Sequence, residues 1–263
     1  MQYNLDNEII FNLDNTDFKN SKYYTFNYID FYYKINNSKY LLITFHGALA
    51  GTLKNDNYNK NLYDDWGEET YENSKWVRSK IPLFRCYNYT KFDVLCLSDI
   101  LLKLYPKNLQ LGWFLSKEYE KYYIDIIKYI SGKYLTKNII ISGSSGGAFA
   151  SLYYGDMFNF KRIVFNGQIL IKNHAYYTAF KSIVNNELIS HDNLDLKNRN
   201  NIIIYQCIND EHHYINLKKY LSYNKYNDIL VIYFENNKNV NPHSCLFPED
   251  ISTENFYLNH FIC

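Results

Sequence analysis

One segment of the chain has the residue types and spacing that suit nucleophilic chemistry. It carries G-x-S-x-G as Gly143, Ser145 and Gly147. An isoleucine run at residues 139–141 precedes it and a run rich in small residues follows, so the serine is predicted to lie in a tight turn between a strand and a helix. Glycines two positions before and after the serine remove side chains that would collide with the neighbouring strand and helix. Such a turn holds the Ser145 hydroxyl clear of the backbone, where it can attack a carbonyl carbon.

The residue after the serine, Gly146, is a candidate oxyanion donor. The N–H group of Gly146 is predicted to point toward the hydroxyl and to stabilise a developing oxyanion, and the helix N-terminus adds partial positive charge. The alternatives are a phosphate-binding glycine-rich turn and a plain tight turn. The Lys-Ser/Thr pair of a P-loop is absent from the segment, which disfavours the phosphate alternative.

This strand–turn–helix segment resembles the α/β-hydrolase superfamily, over about residues 38–245. The resemblance implies an α/β fold, with a mostly parallel central sheet and helices on both faces. It also implies a second oxyanion donor after an early strand, where the chain has Phe45-His46-Gly47-Ala48. The expected donor is the N–H of Ala48, with Gly47 as the alternative, while His46 is expected to shape the loop and not to act as the base.

The resemblance further implies a carboxylate after a late strand. The apolar run at residues 201–207 is followed by Asp210, with Glu211 as the neighbouring competitor. The other interpretation of Asp210 is an N-cap of the helix predicted at residues 212–222.

A histidine is expected in the loop after the last strand, which is predicted at residues 229–234. That loop contains His243, and the chain order Ser, Asp, His is the order that these hydrolases use. His212 and His213 lie directly after the acid and before the last strand, and His260 lies near the terminus. His243 is therefore the expected base, and a surface-loop histidine is the alternative.

These three side chains predict acyl transfer through an acyl-enzyme on Ser145. Residues 96–99 and 111–115 are similar to stretches of bacterial proteins tied to capsule and surface-glycan assembly, some of which O-acetylate polysaccharides. The expected activity is therefore that of an O-acetyltransferase acting on a bacterial capsule or surface polysaccharide, with acetyl-CoA as donor. One alternative is a carboxylesterase or deacetylase that acts on a polar or glycan acyl ester. The other is a non-catalytic partner in glycan assembly or export.

Three further residues are candidates for substrate binding. They are Asp99 and Trp113, which lie in the two similar stretches, and Arg85, which with Arg78 could contact a phosphate or carboxylate. The alternatives are a loop cap for Asp99, a core aromatic for Trp113 and a solvated face for the arginines. The excursion at residues 52–80 is polar, which disfavours long-chain lipid substrates.

The elements that must position these residues follow from the apolar patterning. Apolar side chains at helical spacing predict an amphipathic helix at residues 116–130. Several short runs of apolar residues predict buried strands. The predicted strands are one or two within 22–35, then 40–45, 92–97, 138–142, 162–165, 201–207 and 229–234, and the predicted helices are 116–130, 146–154 and 212–222. Buried strands that alternate with helices predict one α/β domain over residues 1–263.

Composition excludes several classes of protein. Hydrophobic residues make up 47% and charged residues 21% of the 263 residues, which is ordinary for a soluble globular protein. The net charge of +1 argues against a nucleic-acid partner, which would need clustered lysines and arginines. Five cysteines without C-x-x-C spacing predict neither a disulfide framework nor a zinc site. The expectation is a reduced cytoplasmic protein with no secretory signal, membrane span, metal or permanently bound cofactor, and a homo-oligomer stays open.

Overall fold

The computed structural model describes residues 22–47, 89–105, 109, 111–185, 188–236, 242–244 and 254–262. Within these residues, eight strands form one sheet in the order β1-β2-β4-β3-β5-β6-β7-β8. The strands are β1 (Lys22–Phe26), β2 (Ile29–Lys34), β3 (Leu41–Phe45), β4 (Asp93–Leu97), β5 (Ile139–Ser144), β6 (Lys161–Phe165), β7 (Ile202–Cys207) and β8 (Leu230–Phe234). β1 and β2 form an antiparallel hairpin, and β2 also pairs with β4 in the antiparallel direction. The remaining strand pairings are parallel. The prediction of a mostly parallel sheet is confirmed.

Helices pack on both faces of this sheet. The described helices are α1 (Ile100–Leu104), α2 (Glu120–Ser131), α3 (Gly146–Phe158), α4 (Ala175–Ile183), α5 (Glu211–Tyr223) and α6 (Glu254–Ile262). Successive strand residues alternate between two apolar clusters: Ile139 and Ile141 pack with α2 and α3, whereas Ile140 packs with α6. Strands that are apolar on both faces require this double cover.

The predicted elements differ from the observed ones mainly at their ends. Residues 22–35 form two strands, and the helix predicted at 116–130 begins only at Glu120, because Ser116 forms an isolated β-bridge with Ile189. Three short helices were not predicted, namely α1, α4 and α6. With five residues in α1 and nine in each of the other two, they are too short to show a clear period.

Some of the sequence predictions concern residues outside the described ranges. The polar excursion at 52–80 lies outside the described residues, so its surface position stays a prediction, as does the single domain over 1–263. Where the structure describes the chain, no helix combines the length and the apolar character that a membrane crossing needs.

A buried ion pair links the helix behind Ser145 to the chain that leads into β7. The Arg162 side chain is fully buried at the start of β6, and its Nη1 donates to Asp156 Oδ1 on α3 at 2.8 Å. The Asp156 carboxylate also accepts from the backbone N–H groups of Lys197 and Asn198. The carboxylate therefore joins α3, β6 and the segment before β7.

Asp156→Ala should destabilise the fold more than Arg162→Met. Loss of the carboxylate leaves a buried cation and two backbone donors without their acceptor, which costs about 3–5 kcal/mol of unfolding free energy. In Arg162→Met the carboxylate keeps its backbone donors, so the cost should be clearly smaller. Urea unfolding of both variants tests the order, and an equal or reversed order would contradict this account of the pair.

Candidate active site

Ser145 lies in a strained turn between β5 and α3. Its φ is 55°, a left-handed value that is rare for a residue with a side chain. A Cβ on Gly143 would overlap the Gly147 carbonyl group, and a Cβ on Gly147 would overlap the Phe45 carbonyl group. The two glycines of the G-x-S-x-G pattern therefore permit the close approach of strand, turn and helix that the strained serine requires.

Ser145, His243 and Asp210 form one line of hydrogen bonds. Ser145 Oγ lies 2.8 Å from His243 Nε2, and His243 Nδ1 lies 2.7 Å from Asp210 Oδ2. Because an ionised carboxylate can only accept, Nδ1 must carry a proton, and Nε2 is then free to accept the hydroxyl proton of the serine. The hydroxyl, imidazole and carboxylate are thus arranged for nucleophilic attack by Ser145 with His243 as the base.

The parallel sheet explains why residues so distant in sequence meet. Ser145 follows β5, Asp210 follows β7 and His243 follows β8 in the 3-10 turn Pro242–Ser244. The carboxyl ends of parallel strands lie at the same edge of a sheet, where α/β proteins place their sites.

Asn166, directly after β6, joins two of these elements. Its side-chain amide donates to the His243 carbonyl oxygen at 3.2 Å, and its Oδ1 accepts from the Cys207 N–H at 2.8 Å. Asn166 is fully buried, so a single amide ties the turn that carries His243 to the end of β7. No sequence pattern marked this residue.

The second oxygen of Asp210 is also occupied. His213 Nδ1 lies 2.8 Å from Asp210 Oδ1, and the rings of His213 and His243 stack at 4.3 Å. Burial alone would raise the pKa of Asp210, but hydrogen bonds from both imidazoles hold it well below its ordinary value. Burial also lowers the pKa of His213. Asp210 is therefore a charged carboxylate between two imidazole rings that each donate a proton to it.

The same three side chains are close enough to bind a metal ion in principle, because their ligand atoms lie within 4.8 Å of one another. Both Nδ1 atoms, however, already make hydrogen bonds of ordinary length to the Asp210 oxygens. The hydrogen bonds account for the cluster without a metal ion.

The competing acid and bases lie elsewhere. Glu211 is exposed in the first turn of α5, and the carboxylate that contacts His243 is that of Asp210. His46 is buried, with Nδ1 on the Gly47 carbonyl oxygen at 2.7 Å and Nε2 accepting from the Asp99 N–H at 3.1 Å. His260 lies on α6 beside Tyr205. None of these contacts includes Ser145.

Of the expected oxyanion donors, the structure describes Gly146 and Gly47 but not Ala48. Gly146 is the first residue of α3, so its N–H has no acceptor within the helix. A Cβ on Gly47 would lie 3.0 Å from Ser145 Cβ and 3.6 Å from its Oγ, so the backbone at Gly47 lies beside Ser145. Ala48 lies outside the described residues, and its role as the second donor stays a prediction.

Two of the three predicted substrate-binding residues are buried. Asp99 and Trp113 both have 0% exposure. Asp99 caps α1 through the Leu101 N–H and accepts from two further backbone N–H groups, and burial raises its pKa to about 6 although these bonds oppose the rise. Both side chains therefore lie in the protein interior, and their predicted role in substrate binding stays a prediction. Arg85 and Arg78 lie outside the described residues.

One residue in contact with Ser145 escaped the sequence analysis. Gln168, three residues after the end of β6, donates from Nε2 to Ser145 Oγ at 2.9 Å. A glutamine in a loop carries no recognisable pattern, so only the structure shows its contact with Ser145.

Comparison with solved structures bears on the fold. The capsule O-acetyltransferase of Neisseria meningitidis serogroup A, in complex with caged gadolinium, matches with a TM-score of 0.53 and 15% identity over 85% of this chain and 89% of that chain. A mutant of that enzyme in complex with CoA matches with a TM-score of 0.53 and 17% identity over 86% of this chain and 92% of that chain. No family model and no curated protein matches the sequence.

The chain has the α/β-hydrolase fold. Its mostly parallel sheet, the helices on both faces and the tight turn between β5 and α3 agree with the resemblance found in the sequence. At such low identity the likeness to the capsule enzyme concerns the fold, and function must be argued from the site.

The roles of the two neighbouring acids can be separated by matched amide variants. In Asp210→Asn the amide cannot accept from both imidazoles, so the tautomer and the charge of His243 lose their support. We expect a loss of about 10³–10⁴-fold in kcat for p-nitrophenyl acetate. Glu211→Gln should stay within about twofold of wild type because its side chain is exposed. A larger loss in Glu211→Gln than in Asp210→Asn would contradict the assignment.

Acid should destabilise the fold through His46. Burial lowers the pKa of His46 to about 4, whereas a histidine in the unfolded chain titrates near ~6.5. Between these two values only the unfolded chain binds the proton, so acidification from about pH 6.5 to 4 lowers the unfolding free energy by up to about 3 kcal/mol. Urea unfolding across this range should show a flatter slope for His46→Gln than for wild type. Equal slopes in His46→Gln and wild type would refute the prediction.

Proposed function

We propose that this protein is a serine O-acyltransferase that moves an acetyl group from acetyl-CoA to a hydroxyl of a bacterial capsule or surface polysaccharide. The observation that carries the proposal is the unbroken line of hydrogen bonds from Ser145 through His243 to Asp210. A hydroxyl whose proton has an acceptor at 2.8 Å, in an imidazole steadied by a carboxylate, is an activated nucleophile.

The first half of the reaction forms an acyl-enzyme. Ser145 Oγ attacks the thioester carbonyl carbon while His243 Nε2 takes the hydroxyl proton. The tetrahedral intermediate then collapses: the carbon–sulfur bond breaks, and the proton on Nε2 passes to the leaving thiolate. Acetylated Ser145 and free CoA thiol result. Asp210 stays ionised throughout and stabilises the imidazolium that forms between the two steps.

The second half transfers the acetyl group. His243 takes the proton of an acceptor hydroxyl as its oxygen attacks the ester carbonyl of acetylated Ser145. On collapse the carbon–Oγ bond breaks, and Oγ regains a proton from His243. In both halves the oxyanion is stabilised by the Gly146 N–H and, in this proposal, by that of Ala48, at about 3–4 kcal/mol for each donor.

The choice of acceptor and donor rests on two kinds of support. The triad chemistry is the same for water and for a sugar hydroxyl, so it does not choose the acceptor. The capsule O-acetyltransferase that shares the fold, and the complex of its mutant with CoA, favour transfer from acetyl-CoA to a polysaccharide. The polar composition of residues 52–80 favours a polar acceptor over a lipid.

The proposal predicts acetylation of the glycan that depends on Ser145. Protein, acetyl-CoA and candidate capsule polysaccharides are incubated together, free thiol is measured, and the glycan is analysed by mass spectrometry. We expect CoA release that requires the polysaccharide and a gain of acetyl groups on it. Ser145→Ala should abolish both, whereas Ser222→Ala, an exposed serine on α5, should retain wild-type rates.

The other outcomes identify the competing functions. Thiol release without a polysaccharide, or loss of acetyl groups from an acetylated glycan, would replace transfer by a carboxylesterase or deacetylase activity. Full activity in Ser145→Ala would overturn the nucleophile. A folded wild-type protein that reacts with neither donor nor ester would favour a non-catalytic partner in glycan assembly or export.

A further inference from the structure

Ser145 Oγ has a second polar contact besides the imidazole. Gln168 Nε2 donates to it at 2.9 Å, and the Gln168 backbone N–H donates to the Ser145 carbonyl oxygen at 3.1 Å. Gln168 is only 6% exposed. The hydroxyl therefore donates a hydrogen bond to His243 and accepts one from the Gln168 amide. Gln168 contacts Ser145 through both its backbone and its side chain.

The direction of that amide is set by chemistry. Trp113 Nε1 donates to Gln168 Oε1 at 2.7 Å. An indole N–H can only donate, so the oxygen end of the amide must face Trp113 and the NH₂ end must face Ser145. Trp113 is itself fully buried and packs edge-on against Phe180, and close packing of this kind restricts the rotation of a buried side chain.

Trp113 in turn lies in a backbone turn that a lone chain would not adopt. Trp113 and Phe114 both have positive φ values, of 50° and 60°, which bulky side chains rarely take. The Asp99 carboxylate accepts from the Gly112 N–H at 2.8 Å and from the Phe114 N–H at 3.2 Å, on either side of Trp113. Backbone strain of this kind persists only where surrounding contacts stabilise it. Here the strained turn orients the Trp113 indole so that its N–H donates to Gln168.

We propose that Gln168 is a further catalytic residue of the acyl transfer, and that Trp113 is the residue that positions it. The inference rests on the proposed role of Ser145 as nucleophile. As Oγ loses its proton to His243 Nε2 and bonds to the acyl carbon, negative charge develops on Oγ, and the amide N–H of Gln168 stabilises it. When the acyl group leaves for the acceptor, Oγ departs with the bonding electron pair, and the same N–H stabilises it until His243 returns the proton.

The contact favours the transition state over the resting state. A hydrogen bond to a neutral hydroxyl is weak, whereas one to an oxygen that is acquiring charge is about twice as strong. Only an interaction that strengthens in the transition state raises the rate of the chemical step. Gln168 should therefore act on kcat and on nucleophile reactivity, with little effect on KM.

The test is the rate at which a fluorophosphonate labels Ser145, with Ser145→Ala as the blank. Gln168→Glu keeps the length of the side chain and an acceptor for Trp113 but offers Oγ no amide donor. We expect labelling to slow about 10–100-fold, with the unfolding transition close to that of wild type. Gln168→Met, which also lacks the donor but carries no charge, should slow labelling by a similar factor, and it serves instead if the glutamate variant does not fold.

Trp113→Phe separates positioning from packing. In the wild-type background we expect it to slow labelling several-fold, because the amide loses its fixed direction. In the Gln168→Met background it should slow labelling no further, because that background has no amide left to position. Labelling of either Gln168 variant within about twofold of wild type would overturn the inference and leave the proposed nucleophile intact. A folded wild-type protein that is not labelled would instead overturn the proposed function.

Discussion

The site depends on one buried carboxylate whose two oxygens are both occupied. Asp210 accepts from His243 on one oxygen and from His213 on the other. An ionised carboxylate cannot donate, so each imidazole must present a protonated Nδ1 to it. That constraint fixes the tautomer of His243 and leaves its Nε2 as the acceptor for the Ser145 hydroxyl. The arrangement places a proton acceptor, His243 Nε2, within hydrogen-bonding distance of the Ser145 hydroxyl.

The sheet and its loops supply the precision that this hydrogen-bonded line needs. Parallel strands β5 to β8 bring their carboxyl ends to one edge, and short segments after each strand carry the polar groups. Asn166 after β6 ties the turn of His243 to the end of β7. Gln168, two residues later, donates a hydrogen bond to Ser145 Oγ. The segment after β6 thus contacts the turn of His243, the end of β7 and Ser145.

The parts of the site that sequence could predict are those with a pattern. Glycines at 143 and 147 mark the elbow because a Cβ at either position would overlap a carbonyl group, and the order of acid and histidine follows from the strand order. Asn166 and Gln168 had no such mark, because an amide in a loop gains its role only from the groups that it contacts. His213 was considered only as a rival base, and the structure instead places it on the second oxygen of Asp210. Asp99 and Trp113 were predicted to bind substrate, and the structure shows that both side chains are completely buried. A strained turn at 113–114 is invisible in a sequence, since its cause is a carboxylate more than ten residues away.

The most direct test of the central claim is the protonation state of His243 in solution. In protein labelled with ¹⁵N at histidine, the ¹⁵N shifts and low-field proton resonances identify the tautomer of each imidazole. At neutral pH we expect His243 to carry its proton on Nδ1 in a strong hydrogen bond, with Nε2 unprotonated, and we expect that resonance to be lost in Asp210→Asn. A His243 ring protonated on Nε2, or one whose signals do not respond to the loss of the carboxylate, would contradict the account.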